Sequence, residues 1–516
     1  MKSGTFIRRH KNQRGQVIVL ATAAMVVLIG FVGVVVDVGN LYTTRRKMQT
    51  AADAAAIAAA NVLLTSDSSG YSNAATDVAG FNGFTNSSNG VTVTVSSPTS
   101  CPNASGEQCV QVNVSQAVPT YFLRVLGYST MNVSTQAIAG GTNNPACIYA
   151  LDPSDSQSLS IGATSSSAFT FKASCGAIVN SNSSSGLYLN GAGTFTTTGT
   201  GVAGNQVYSH GAVRMTPTPV TNVIPALDPL ASLPPPTYSG CTQLTTTSST
   251  QYKQTGAINS LTVPANTLTS GGILFSNVAA GSITFPAGNY GNNIFLSGAI
   301  SNLTFNPGQY QNTGGTGDSI DVTGSGNTNF NGGGYTFCGK VNVTGANTIT
   351  LRPGVYVGGI SITGAANVTF QPGTYIIAGG GFTVNNSAAT ISGSGVTFYN
   401  TTGPAGFAPF AISGASSSSL SAPTSGTYKG ILFFTDRSIP VGTAGYTNSG
   451  ASTITTDGVW YFPTTTVEFN GASSGSGYTS IIAYKINMNG AMNTTIGSNY
   501  STLGGTSPLS SSTLYE

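Results

Sequence analysis

TFPAGNY (Thr284–Tyr290), TFNPGQY (Thr304–Tyr310), TLRPGVY (Thr350–Tyr356) and TFQPGTY (Thr369–Tyr375) are copies of one phrase, and NFNGGGY (Asn329–Tyr335) is a degenerate copy. Their tyrosines, at 290, 310, 335, 356 and 375, lie 20, 25, 21 and 19 residues apart. A second phrase keeps step with the first: IFLSGA (Ile294–Ala299), IDVTGS (Ile320–Ser325), VNVTGA (Val341–Ala346) and ISITGA (Ile360–Ala365). Self-similarity at a fixed period of this size marks a repeat architecture. Within one period, Val341/Val343, Ile349/Leu351 and Val355/Val357 form three short alternating segments, each too short to stand alone. With Gly, Asn and Pro at the corners, three strands per turn describe a right-handed parallel β-helix with coils of about 20 residues. Each coil buries its inward side chains against the coils above and below. Pro353 and Pro372 fit corners, where no ladder donor is lost.

The repeated tyrosines read as a stacked row along this solenoid, with a carbohydrate-binding platform as the sharper alternative. Asn302, Asn347 and Asn367 read as a turn ladder, although Asn302 and Asn367 begin N-x-T triplets. The same rhythm occurs earlier in LSIGA (Leu159–Ala163) and LYLNGA (Leu187–Ala192), and later in Gly430–Asp436, Gly458–Ala472 and Ile481–Ala491. Between the blocks lies a Pro-rich stretch, Thr216–Cys241, which must be extended because Pro blocks both helix and sheet ladders. Whether the blocks join into one β-helix is left open.

At 516 residues the chain is too long for one core. Only 6% of residues are charged and 67 are Gly, yet apolar residues recur throughout, which argues against disorder. The net charge of +3 is unevenly split: residues 1–50 carry eight Lys/Arg and one Asp, the rest nine Lys/Arg and thirteen Asp/Glu. Nothing resembles a nucleic-acid-binding face, which needs clustered Lys/Arg on the folded body. The cysteines, Cys101, Cys109, Cys147, Cys175, Cys241 and Cys338, form no CxxC pair, so no metal site is expected. In an exported body they allow up to three disulfides, with Cys101 and Cys109 close enough for a local loop and the remaining pairing open; free buried thiols are the alternative.

Val17–Val36, VIVLATAAMVVLIGFVGVVV, is a run of twenty uncharged residues, long enough to cross a bilayer as a helix. A cleaved secretory peptide would have a shorter apolar core ending in small residues, whereas this run meets Asp37. Lys2, Arg8, Arg9, Lys11 and Arg14 precede it and Arg45, Arg46 and Lys47 follow, which favours a cytoplasmic N-terminus. Leu41–Leu64 is Ala-rich without Gly or Pro and should continue as a helix out of the membrane, either a stalk or a helix that packs on partner subunits.

The run Arg14–Ala60, with Arg14-Gly15 before the span, Asp37-Val38-Gly39 at its end, and Gln49 with Ala51-Ala52-Asp53-Ala54-Ala55 beyond, resembles the N-terminal segment of TadG-like proteins of the Tad (tight adherence, Flp pilus) assembly system. The resemblance implies a structural protein of the bacterial inner (cytoplasmic) membrane, with the body periplasmic and other pilus-assembly proteins as partners. Type IV prepilin-like substrates carry Glu at the fifth position after the processing glycine; counted from Gly15 that position is Leu20, so a retained anchor is expected. The expected organisation is basic flank, span and stalk at 1–64, a small α+β module at 65–140, first solenoid coils at 141–215, a linker at 216–250, the main β-helix at 251–500 and a flexible tail at 501–516. In the α+β module, Val91–Val95, Val110–Val114 and Met131–Ala139 read as strands, and Tyr121–Gly127 as a helical candidate.

Parallel β-helices also host polysaccharide lyases and hydrolases, which need convergent carboxylates or clustered acids with a base. Asp318, Asp321, Asp436, Asp457 and Glu468 are the available acids, and Arg352, Arg437 and Lys485 the bases. Asp318/Asp321 is the best catalytic candidate pair, but no third group converges on it in the sequence. His10 and His210 lie outside the repeats, and no nucleophile elbow, phosphate loop or metal-ligand spacing occurs. The expectation is therefore a non-enzymatic chain without cofactor, catalytic residues or metal. A surface adhesin or glycan-binding protein is the alternative, and a polysaccharide lyase ranks below it.

Overall fold

Strands Lys340–Thr344, Asn347–Leu351 and Gly354–Val357 make one coil, and Ile360–Thr363, Asn367–Phe370 and Gly373–Ala378 make the next. The two coils pair in parallel, so that Val341 lies over Ile360, Val343 over Ile362 and Ile349 over Val368. The computed structural model describes residues 14–63, 70–97, 108–141, 146–162, 168–223, 225–312, 317–324, 326–345, 347–363, 367–385, 390–413, 417–449, 452–470, 473–476, 479–490, 493–497, 509 and 513–515. It is mainly β, with 52% strand, and its β-solenoid has about 13 turns of about 22 residues.

Inside the solenoid the repeat phrase builds two aromatic columns. Phe285, Phe305 and Phe330 stack with centroids 4.7 and 4.9 Å apart. Beside them, Tyr290 stacks on Tyr310 at 5.3 Å, and Tyr335, Phe337, Tyr356 and Tyr375 continue the row. All five repeat tyrosines are buried. Each hydroxyl donates to the carbonyl four residues earlier, on Pro286, Asn306, Asn331, Arg352 and Gln371 respectively. The tyrosine thus satisfies a carbonyl that the corner would otherwise bury unpaired. Gly308 is fixed by close approach, since a Cβ there would run into the Gly288 carbonyl of the neighbouring coil.

The two sequence blocks form one continuous stack, but not in chain order. The last coil of the second block, Thr479–Asn489 and Asn493–Ile496, pairs in parallel with Ile148–Ala150, Leu159–Gly162 and Ala168–Ala173 of the first. The first block then continues outward to Tyr208–Thr216 and Val220–Thr221. The chain must next reach the opposite end, where Tyr252–Thr262 pairs with Ile273–Phe285. Residues 222–251 provide the return path. Thirty extended residues reach roughly 95 Å, and a stack of about 13 coils at about 4.8 Å each rises about 60 Å.

This segment packs along the solenoid as a strap. Asn180 exchanges two hydrogen bonds with the Ala226 backbone, at 2.7 and 2.8 Å. Tyr461 donates to Asp228 at 2.7 Å, and Arg437 donates to the carbonyls of Leu230 and Leu233 at 2.6 and 2.9 Å. Further along, Tyr428 donates to Pro234, Cys241 is bonded to Cys338, and Gln311 accepts from the Leu244 N–H. Leu230 and Leu233 cover an outward apolar face formed by Ile376, Tyr399, Phe434 and Tyr461. That face explains why Val396–Thr401 and Ile431–Thr435 are buried at every position rather than alternately.

The other compact unit comprises Met1–Asn143 with Ser510–Glu516. One helix, α1 (Arg14–Leu63), runs unbroken through 50 residues, joining the expected span and stalk. It is followed by α2 (Tyr71–Phe81), β1 (Val91–Ser96), β2 (Gln108–Pro119) and β3 (Thr130–Gly141), with β1–β2 and β2–β3 antiparallel. α2 had no clear sequence signal: Ser, Asn, Thr, Asp and Gly are weak helix formers, and Ala75 and Ala79 alone are buried. Tyr121–Gly127 forms only a 3₁₀ turn at Leu123–Leu126, ended by Gly127 in the left-handed region at φ 96°. The stretch expected as a flexible tail ends in Thr513–Tyr515, which pairs with β3 and covers its edge. Cys147–Cys175 is a disulfide, whereas Cys101, the expected partner of Cys109, lies outside the described residues.

Arg437 makes three donor contacts, two to the strap and one to Tyr461, and stacks over Phe434 and Tyr461. Arg437→Met keeps the length but removes all three, and each lost hydrogen bond to a charged group removes about 1.5–3 kcal/mol. The expected outcome is faster proteolytic nicking within residues 226–240 while the repeats stay resistant, read by mass spectrometry of limited digests.

Candidate functional site

The residues of the N-terminal motif converge on one structural task. Asp37, buried at the point where the apolar run ends, accepts from the backbone N–H groups of Tyr121, Phe122 and Leu123 at 2.9, 2.9 and 2.7 Å. These are the donors at the start of the 3₁₀ turn, which have no partner within it. Four residues before Asp37, Gly33 lies against Phe122, and a Cβ there would come within 2.6 Å of the ring. Further along α1, Gln49 donates to Asp53 at 2.8 Å and to the Gln136 carbonyl of β3 at 3.1 Å.

Between and beyond these polar contacts, Ala51, Ala52, Ala55, Ala56, Ala59 and Ala60 are fully buried. They repeat at helical spacing and pack with Ala75 and Ala79 of α2 and Val110, Val112 and Val114 of β2. Short side chains let the sheet and α2 approach the helix closely. From Val17 to Val36, in contrast, the side chains are exposed apart from Gly33 and Val34. Among the described residues α1 is the helix long and apolar enough to cross a membrane.

The structure does not gather the catalytic candidates of the solenoid. Asp318 and Asp321 lie on one strand, Asp318–Thr323, where Asn342 of the next coil donates to Asp321 at 3.1 Å and Lys340 pairs in register with Asp318. Burial pushes both carboxyls up from their ordinary value, with Lys340 opposing at both and the Asp318 charge adding to the rise at Asp321. Asp436 and Arg437 diverge: Asp436 accepts from Tyr399, Thr401 and the Ser438 N–H, while Arg437 serves the strap. Burial works against the Asp436 charge, but these donors outweigh it and hold the carboxyl below its usual value.

Lys485 pairs with Asp155 at 2.7 Å and with buried Asp152 at 3.4 Å. Arg352 donates to the Phe330 carbonyl of the preceding coil. Asp457 lines an open groove with Thr369, Ser392, Ser419 and Thr455, and Glu468, eleven residues further along the strand Ser452–Asn470, pairs in register with Thr447 and Asn487. His210 meets Asn190 at the exposed end strand, and His10 lies outside the described residues. Among the described residues no three His, Cys, Asp or Glu side chains gather as a metal site.

The repeat tyrosines are unavailable to a sugar, because their faces are stacked and their hydroxyls engaged. Burial pushes the phenols up, to about 12 at Tyr290 and Tyr335, so the row is neutral at physiological pH. Asn302 stacks under Asn327 with a 3.4 Å side-chain contact, and Asn367 continues that column beyond Thr348. Asn347 is one residue out of register with it.

The contacts of Asp37 with Tyr121–Leu123 and of Gln49 with Gln136 were not visible in the sequence because these partners lie more than 80 residues away. The available signals were Gly33 inside an apolar run and the apolar Tyr121–Tyr128 stretch closed by glycine.

Residues 15–62 match the Tad family model, described as Flp pilus-assembly TadE/G-like. No curated protein and no solved structure matches the chain. The matched segment coincides with α1, and the β-solenoid follows it.

Asp37→Ala removes the common acceptor of three N–H groups, each worth about 1–3 kcal/mol when left unsatisfied. Amide exchange at Tyr121–Leu123 should accelerate by about tenfold or more, measured by hydrogen–deuterium exchange in detergent or nanodiscs. Asp321→Asn tests the solenoid carboxyl. Its ordinary value is 3.8 and its folded value is higher. The folded state is therefore favoured most below 3.8 and loses that advantage as pH rises through the folded value. The variant should melt at a higher temperature than the parent at neutral pH and at the same temperature near about pH 3.

Proposed function

We propose that this chain is a membrane-anchored structural component of Tad/Flp pilus assembly in the bacterial inner membrane, with its β-helix on the extracytoplasmic side. The observation that carries the reading is the coincidence of the Tad match at 15–62 with the helix that both offers a membrane span and clamps the adjoining module. A role in pilus assembly follows from that segment; its form here, a scaffold rather than a catalyst, is supported by how the solenoid uses its polar groups. Asp436, Arg437, Arg352 and Lys485 are all committed to holding coils or strap together.

Orientation is supported by two independent features. Basic residues number five before the span and three after it, which favours the N-terminus in the cytoplasm. Cys147–Cys175 and Cys241–Cys338 are bonded in the solenoid, and such bonds persist in oxidising compartments. Leu20, where a prepilin-like substrate carries Glu, supports an anchor that stays attached.

The test is photo-cross-linking of the full chain in its own cells, with the reactive residue at exposed positions of α1 and α2, combined with deletion of the gene. Cross-links to pilus-assembly proteins and loss of surface pili are expected. Normal piliation without such cross-links, together with saturable binding on a glycan array, would replace this reading with the adhesin.

A further inference from the structure

The spanning run Val17–Val36 and the turn Tyr121–Tyr128 belong to the same compact unit, and their contacts fix the depth of one against the other. A run of twenty helical residues is about 30 Å long, which equals the hydrocarbon thickness of a bilayer. Its outer end is Val36, and Gly33 lies three residues, or roughly 4.5 Å, inside that end. Phe122 packs on Gly33, and the Asp37 carboxylate holds the N–H groups of Tyr121, Phe122 and Leu123. The turn is therefore held level with the last helical turn of the span rather than above it.

What the turn shows to its surroundings is apolar. Val125 is 87% exposed, Leu126 68%, Tyr121 67% and Tyr128 60%. In water this cluster would be an unexplained hydrophobic patch. Aromatic residues concentrate at the headgroup level of membranes, where an apolar ring and a polar tip are both accommodated. Arg124, exposed on the same turn, can extend its guanidinium toward lipid phosphates while its stem stays in the apolar layer. Backbone donors near hydrocarbon must be satisfied internally, and Asp37 does so for the three at the start of the turn.

We propose that the Tyr121–Tyr128 turn is a second membrane contact, inserted into the lipid boundary beside the spanning helix. The occupant of this apolar surface is lipid, because the surface is continuous with the exposed flank of the span. The inference rests on reading Val17–Val36 as membrane-spanning, and the experiment separates the two.

The described cysteines are all disulfide-bonded, so a single introduced thiol can carry an environment-sensitive fluorophore in the full chain. Val125→Cys and Leu126→Cys test the turn, Val27→Cys reports the span, and Asp77→Cys on α2 is the water-exposed reference. The proteins are reconstituted without other partners into phosphatidylethanolamine–phosphatidylglycerol vesicles, with or without nitroxide-labelled lipid. Blue-shifted emission and nitroxide quenching at 125 and 126, approaching those at 27 and absent at 77, are expected. Quenching at 27 but iodide-accessible, unshifted emission at 125 and 126 would overturn the inference and leave the span intact. Protection of 125 and 126 from both quenchers would also overturn it, assigning the surface to a second copy. Loss of quenching at 27 would remove the span itself and the inference with it.

Discussion

Parallel strands about 4.8 Å apart place every inward side chain directly over its counterpart in the next coil. Each inward position therefore becomes a column, and a column admits only groups that tolerate their own kind. Phenyl rings do: Phe305 stacks within 5 Å of Phe285 on one side and of Phe330 on the other. Tyrosine does so only if its hydroxyl has somewhere to go, and the corner carbonyl four residues back supplies that acceptor in all five repeats. A charge would face its own image, which explains a chain with 6% charged residues. Where an acid occurs on a ladder, the neighbouring coil answers with a different group, as Asn342 does for Asp321.

A second constraint comes from the outside. Tyr399, Phe434 and Tyr461 point away from the solenoid interior, and an apolar outer face needs a cover. The strap supplies Leu230 and Leu233, and proline suits it because an extended chain lying over the outer face of the strands has few ladder donors to lose. Since the strap also links the two ends of the stack, the order of coils and the cover of the outer face are one solution. Residues 222–251 must be long because the first block was added beyond the last coil of the second.

The repeat was legible because columns impose a period, and three strands per period followed from Val341, Ile349 and Val355. The stacking order was not legible. Pairing of Ile481 with Ile148 depends on which two edges meet, and any apolar strand edge offers the same pattern. The packing of the strap was not legible because Thr216–Cys241 carries no periodicity, although the unbroken apolar runs YIIA and ILFF mark strands covered on both faces. For the N-terminal motif, the residue types were legible and their partners were not. Asp37 and Gln49 act on backbone groups, and a backbone acceptor or donor leaves no mark in a sequence.

That use of backbone partners gives the motif its physical meaning. A carboxylate at the end of an apolar helix is costly unless it is hydrogen-bonded, and three N–H groups satisfy Asp37. Gln49 and the alanine face hold β2, β3 and α2 to the same helix about three to six turns further along. Because α1 continues through Asp37-Val38-Gly39 without a break, the span and the module share one rod. Tilt or rotation of the apolar segment is then transmitted to the module without an intervening hinge. An assembly protein that must report on, or brace, events at the membrane gains from such coupling, whereas an adhesin needs only a tether.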